Sequence, residues 1–189
     1  YWDGEVFPRS AIWDMAKEMV KEAGEDAQSK GIEIVLELEP FNEALLKDVH
    51  ELVRFVKEID HQAVRANADI SHLHLSGCSF DEVKELTGLI GHIHLSDCDG
   101  KVHGDMPAGM GVTPIKEYLA AIRDTGYDGT VSIELEYAPN PDEIVAWVKS
   151  LAAFSVPQPP EWVQRIPVVG AKAAERWRAI ASTPRDDLM

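Results

Sequence analysis

Carboxylates and imidazoles gather at the ends of four short, β-rich runs. The endings read Leu36-Glu37-Leu38-Glu39-Pro40, Ala68-Asp69-Ile70-Ser71-His72, His92-Ile93-His94-Leu95-Ser96-Asp97 and Ile133-Glu134-Leu135-Glu136. A charge inside a strand is costly unless it is paired or bound to a metal, so four such strands in succession call for a reason. In parallel α/β folds the C-terminal edge of the sheet is where active sites form. Three carboxylates and one neutral imidazole make a hard, oxygen-rich ligand set. Such a set suits Mn²⁺ foremost, then Mg²⁺ or Co²⁺, with Zn²⁺ also accommodated. No cysteine ligand motif is present, which argues against a structural zinc site.

Alternation narrows the choice of ligands only in part. Glu37 and Glu39 share parity and point to one side, as do His92 and His94. The later member of each pair sits nearer the C-terminal edge. That rule favours Glu39 and His94, and it would favour Glu136 over Glu134.

The elements that must carry these residues alternate regularly. A helix is predicted over residues 10 to 30, with Ser10 able to cap it and Gly31 to stop it. A strand over Ile32 to Glu39 ends at Pro40. A second helix carries Leu45, Leu46, Val49, Leu52, Val53 and Val56 on one face. Strand Val64 to Ile70, a short helix from Phe80 to Gly88, strand Ile90 to Leu95, a glycine-rich loop, and a helix from Pro114 to Thr125 follow. Strand Thr130 to Glu136 and a helix from Pro141 to Ala153 close the series. Four strand–helix units without hairpin signals predict a parallel sheet. A full barrel takes about 250 residues, so the 189 residues here predict the C-terminal half of a (β/α)8 TIM barrel. A small open sheet is the alternative. The barrel half is placed at residues 1–155. Residues 156–189 read as a Pro-rich linker and a helical extension that packs on the barrel or on a neighbouring subunit of a homo-oligomer.

The bulk properties exclude several classes of function. The net charge of −15 repels phosphate backbones and anionic membranes, which speaks against nucleic-acid and membrane partners. No apolar run reaches the roughly 20 residues of a membrane span, and the start lacks the regions of a signal peptide. It also lacks an initiator Met, as in a processed or partial chain. Two cysteines cannot build a disulfide framework, so a reducing cytoplasm is the expected compartment.

The strings "LELEPFN", "ADISHLHLSG", "HIHLSDCDGKVHGDMPAGMG" and "GYDGTVSIELEY", in that order, resemble the xylose isomerase-like barrel superfamily of sugar isomerases and epimerases. The resemblance spans about residues 10 to 150. It implies a metal held by Glu39, Asp69, His94 and Glu134, with Glu134 preferred to Glu136. Glu39 and Glu134 would double as acid/base groups, and His72 would contact a substrate oxygen. The expected activity is metal-dependent isomerisation or epimerisation of a keto-sugar, sugar phosphate or polyol through an enediolate. A lyase or dehydratase on the same site is the alternative; a DNA-repair enzyme like endonuclease IV and a non-catalytic barrel are less favoured. The arginine that follows the third strand in ketose epimerases has no counterpart here. Lys101, the nearest cation, is the candidate substrate contact in its place, although it lacks the fork geometry. His103 and Asp105 resemble, in reversed order, the extra metal-ligand loop of endonuclease IV. They read either as a second metal site or as substrate-contacting or solvated loop residues. Glu37 and Glu136 read as supporting partners, His92 as a satisfied interior histidine, and Asp97 as a loop acid that could touch substrate.

Overall fold

The computed structural model describes residues 8–135. The segments predicted as the helix Pro141 to Ala153 and as the extension 156–189, together with Glu136, lie outside the described residues.

Helix α1 (Arg9–Ser29) begins one residue earlier than the sequence implied, after Pro8, and no side chain caps it. Ser10 does not act as the cap. The Pro8 carbonyl already accepts from Ala11 and Ile12, which leaves Ser10 inside the first turn. The far end closes as predicted at Gly31, whose φ of 68° lets its N–H reach the Gln28 carbonyl while Ile32 reaches Ala27. Strand β1 (Ile34–Glu37) is shorter than expected. Helix α2 (Val49–Ile59) is capped by Asp48, which accepts from the Glu51 N–H, so Leu45 and Leu46 precede it.

Strand β2 (Val64–Asp69) ends one residue earlier than expected and runs directly into a short helix α3 (Ile70–Leu75). Asp69 is both the last residue of the strand and the cap of the helix, accepting from His72 N–H. A 3-10 turn over Glu82–Leu86 replaces the predicted short helix. Strand β3 (Ile90–Leu95), helix α4 (Ile115–Asp124) and strand β4 (Val131–Ile133) complete the order.

The strands form one sheet in the order β1-β2-β3-β4, and every neighbouring pair is parallel. One face is covered by helices. Ala66, Ala68, Ile90 and Ile93 from the strands meet Leu52, Val53 and Val56 of α2, Leu73 of α3, and Tyr118, Ala121 and Ile122 of α4. Burial of these apolar side chains is the main source of stability. A smaller cluster ties α1 to α2 through Trp13, Phe55 and Ile59, with Trp13 edge-on to Phe55 at 4.8 Å.

The register of β2 on β3 contains one irregularity that matters for the other face. Ala66 pairs with Ile90, but Asn67 pairs with His92, so Gly91 is an extra residue in β3. Ile90 and Ile93 both join the helix-side core, three residues apart, which strict alternation forbids. The bulge turns His92 and His94 to the side of Asn67 and Asp69. Without it the following side chains would change faces.

Candidate metal centre

The face away from the helices carries, by register, Glu37 opposite Asn67, Asp69 opposite His94, and His94 opposite Ser132. Glu134 lies just past β4, where its N–H donates to the Leu95 carbonyl at 3.2 Å. This arrangement brings one ligand atom each from Glu37, Asp69, His94 and Glu134 within 4.8 Å of one another. Asp69, His94 and Glu134 are three of the four expected ligands. The fourth member of this group is Glu37, the last residue of β1, where Glu39 was expected. Glu39 groups instead with His72 and His103, and His72 also stands with Asp69 and Asp105.

Each member is held by neighbours. Asp69 is almost wholly buried; its Oδ1 accepts from Ser71 Oγ (2.9 Å) and its Oδ2 from Ser96 Oγ (2.9 Å). Asn67 donates through Nδ2 to Glu37 Oε2 at 2.7 Å and lies 2.9 Å from His94 Nδ1. That same imidazole nitrogen is 3.3 Å from Glu37 Oε2 and 2.5 Å from Glu134 Oε2. His72 Nδ1 is 2.9 Å from the Leu38 carbonyl; a carbonyl can only accept, so this nitrogen carries the proton. Nδ1 also lies 3.1 Å from Glu37 Oε1. His92 Nε2 meets Ser132 Oγ at 2.9 Å, the satisfied interior histidine that the sequence implied. Asn67 was missed. Its signal was its position two residues before Asp69 in the same strand, hence on the same face.

The residues fit a divalent cation on two counts. Glu37 Oε1 and Glu134 Oε2 are buried without a hydrogen bond, although each stands close to an imidazole nitrogen. Such atoms are costly to leave without a partner. The charges are also crowded. Glu134 is raised from the ordinary carboxylate range by burial first, then by the charges of Glu37, Asp69 and Asp105. In Glu37 burial pushes the same way, but the neighbouring imidazoles of His72 and His94 win, and it is lowered. Burial disfavours charge on His72, yet Glu37, Asp69 and Glu39 together lift it to about 9. A divalent cation among these carboxylates would offset the repulsion that raises Glu134.

A second layer of polar groups adjoins this cluster. Asp105 is fully buried and lies 3.1 Å from His103 Nε2 and 3.8 Å from His72 Nε2. The His72 and His103 rings are 4.4 Å apart. Neither His103 nor Asp105 is a solvated loop residue. Lys101 is exposed; its backbone N–H donates to Asp99, and among the described residues its side chain forms no ion pair with the cluster. Asp97, read as a loop acid open to substrate, is instead buried and taken up by backbone N–H groups.

The model of the family described as "xylose isomerase-like TIM barrel" matches residues 2–154. The chain belongs to that family. The four parallel strands seen here are therefore part of a TIM barrel, as the alternation implied. D-psicose 3-epimerase of Ruminiclostridium cellulolyticum is 32% identical over 139 residues, covering 71% of this chain and 46% of that protein. Fructoselysine 3-epimerase of Escherichia coli is 24% identical over 137 residues, covering 70% of this chain and 49% of that protein. The chain spans about half the length of these curated relatives. Among solved structures, a D-tagatose 3-epimerase-like protein superposes with a TM-score of 0.63 at 26% identity, over 86% of this chain and 57% of the other. The IOLI protein with a bound zinc atom gives 0.63 at 18% identity, over 93% and 58%, and shares the fold. Among the described residues, no helix of this family member is long and apolar enough to cross a membrane.

Proposed function

We propose that this chain carries the metal centre and acid/base carboxylates of a divalent-metal-dependent isomerase or epimerase acting on a keto-sugar, sugar phosphate or polyol. The observation that carries this reading is the convergence of Glu37, Asp69, His94 and Glu134 within 4.8 Å. These four would hold the cation, with Mn²⁺ foremost and Mg²⁺, Co²⁺ or Zn²⁺ as alternatives. When bound, a divalent cation supplies positive charge against a developing oxyanion.

The chain's own residues do the rest. Glu37 and Glu134 come from the outer strand β1 and from just past the outer strand β4, so the two carboxylates reach the cluster from different directions. One removes the proton beside the carbonyl and the other returns it on the opposite face, which inverts that carbon. Asn67 steadies Glu37, and Ser71 and Ser96 steady Asp69. His72, His103 and Glu39 form the neighbouring polar wall and suit contact with substrate hydroxyls. Lys101 has no part in this proposal. The epimerase names of the curated relatives support it.

The test is turnover of D-psicose and D-fructose by the full protein, stripped with chelator and reloaded with Mn²⁺. Activity should vanish and return with the metal. Glu134→Gln should lower kcat by about 100- to 10,000-fold with an unchanged circular dichroism spectrum. Wild-type turnover in Glu134→Gln would sink the assignment. Products must be identified as well, since a leaving group β to the carbonyl would turn the same proton abstraction into elimination.

A further inference from the structure

The connection from β3 to α4 runs over residues 96–114, long enough that a structureless loop would be unusual. One buried side chain organises it. Asp97 is 1% exposed. Its Oδ1 accepts from the backbone N–H of Cys98 (2.8 Å) and Thr113 (3.0 Å). Its Oδ2 accepts from Gly109 and Gly111, both at 2.9 Å. Its own backbone exchanges two hydrogen bonds with Met106 at 2.8 Å each. Val112 N–H adds a bond to the Cys98 carbonyl at 2.8 Å, and Cys98 Sγ meets Thr113 Oγ1 at 3.3 Å.

Gly111 makes this closeness attainable. A Cβ there would lie 2.1 Å from the Cys98 carbonyl oxygen and 2.4 Å from Asp97 Oδ1, so no other residue admits the same approach. The Gly109–Gly111 pair therefore receives a carboxylate of the chain itself, and the loop is wound around that carboxylate.

This loop delivers two side chains to the metal-centre region. Asp105, at φ 36°, is pressed inward beside Ser71, whose Oγ is 3.4 Å from its Oδ1. His103 stacks obliquely on His72 at 4.4 Å and lies edge-on to Phe41 at 5.5 Å. The strands supply the four-residue cluster; the loop supplies the wall beside it. Asp97 is in none of the groups able to share an ion.

We propose that Asp97 is the positioning residue of this site: its carboxylate templates the 98–113 loop so that His103 and Asp105 stand against His72 before substrate arrives. Ordering the wall in advance removes an entropic cost from binding. The role requires a carboxylate. Each oxygen serves two N–H donors, whereas an amide would turn an NH₂ toward two of them. Burial alone would raise this group, but the N–H groups of Thr113, Gly111 and Cys98 hold it below the usual range, so it stays ionised.

That the wall faces a sugar rests on the function proposed above; the templating does not. The test measures hydrogen exchange, Mn²⁺ affinity and D-psicose kinetics on the full protein as wild type, Asp97→Asn, Gly111→Ala and His103→Ala. In Asp97→Asn and Gly111→Ala, amides over 98–113 should exchange about tenfold faster or more, with β2 and β3 unchanged. Mn²⁺ affinity should stay within about twofold, because the cluster sits on strands. KM should rise about tenfold while kcat falls less. His103→Ala should raise KM without changing loop exchange. Unaltered exchange over 98–113 in Asp97→Asn overturns the inference. So does a fall in Mn²⁺ affinity accompanied by faster exchange across the whole sheet, since Asp97 would then be a general stabiliser. A wild-type protein that binds Mn²⁺ yet converts no sugar refutes the proposed function, and the exchange and metal measurements still decide the role of Asp97.

Discussion

Substituting Gly91 by alanine tests whether one glycine sets the facing of both strand histidines. A Cβ at Gly91 would lie 2.8 Å from Val35 Cγ1, 2.9 Å from Arg65 Cβ and 3.1 Å from Arg65 Cδ. The first two lie well inside van der Waals contact, and Arg65 cannot swing away freely because its Nη2 donates to the Ile90 carbonyl at 2.8 Å. Relief requires β1 or β3 to shift, and overpacking of this kind costs about 1–3 kcal/mol. For a chain of this size that corresponds to a fall in Tm of roughly 2–12 °C, at about 2–4 °C per kcal/mol. A shift in β3 also moves His94 against Asp69, its register partner, so Mn²⁺ affinity should weaken by about 10- to 100-fold. Differential scanning fluorimetry and isothermal titration with Mn²⁺ give the two readouts on one sample. A Tm within about 1 °C of wild type, with unchanged Mn²⁺ affinity, would falsify the claim that this bulge builds the site.

Two further outcomes follow from the scaffold. The Glu51 carboxylate accepts from Arg9 Nη1 at 2.7 Å and from Arg9 Nη2 at 2.8 Å. Burial raises Glu51, but the hydrogen bonds of Arg9 and the Lys47 N–H outweigh it, so the group is lowered from its ordinary 4.5. Its stabilisation is therefore present above that value and lost as pH falls through the lower folded value. Glu51→Gln should cost about 1 kcal/mol near pH 7, and urea melts should show the gap to wild type closing as pH falls below the ordinary 4.5; a gap independent of pH would contradict the charge-based account. The thiols give the second outcome. Cys78 and Cys98 are buried, and burial, seconded by Glu82 and Glu85, pushes Cys78 up to about 12. Ellman's reagent at pH 8 should therefore find both only after denaturation, and rapid labelling of the native protein would refute this.

Much of the site could be read from the sequence, because its ingredients are local. A carboxylate or imidazole at the end of each β-rich run, with helical spacing between the runs, is enough to imply a parallel sheet whose C-terminal edge gathers these groups. Asp69, His94 and Glu134 follow from that pattern together with the family resemblance. Gly31 marks the helix end it was expected to mark. Other assignments depended on distances that no local pattern encodes. Glu37 and Glu39 have equal parity, and only the point at which β1 leaves the sheet decides that Glu37 meets Asn67 and joins the cluster. Ile90 and Ile93 share the core across an odd spacing because Gly91 must pass between Val35 and Arg65, residues far away in the chain. Asp97 read as a loop acid that could touch substrate since its N–H partners lie up to 16 residues onward and meet only when the loop closes. The sequence determined which groups were available and which strand each would end. Where the backbone stops, bulges or folds back on itself is set by packing between distant segments, and that decided which of those groups touch.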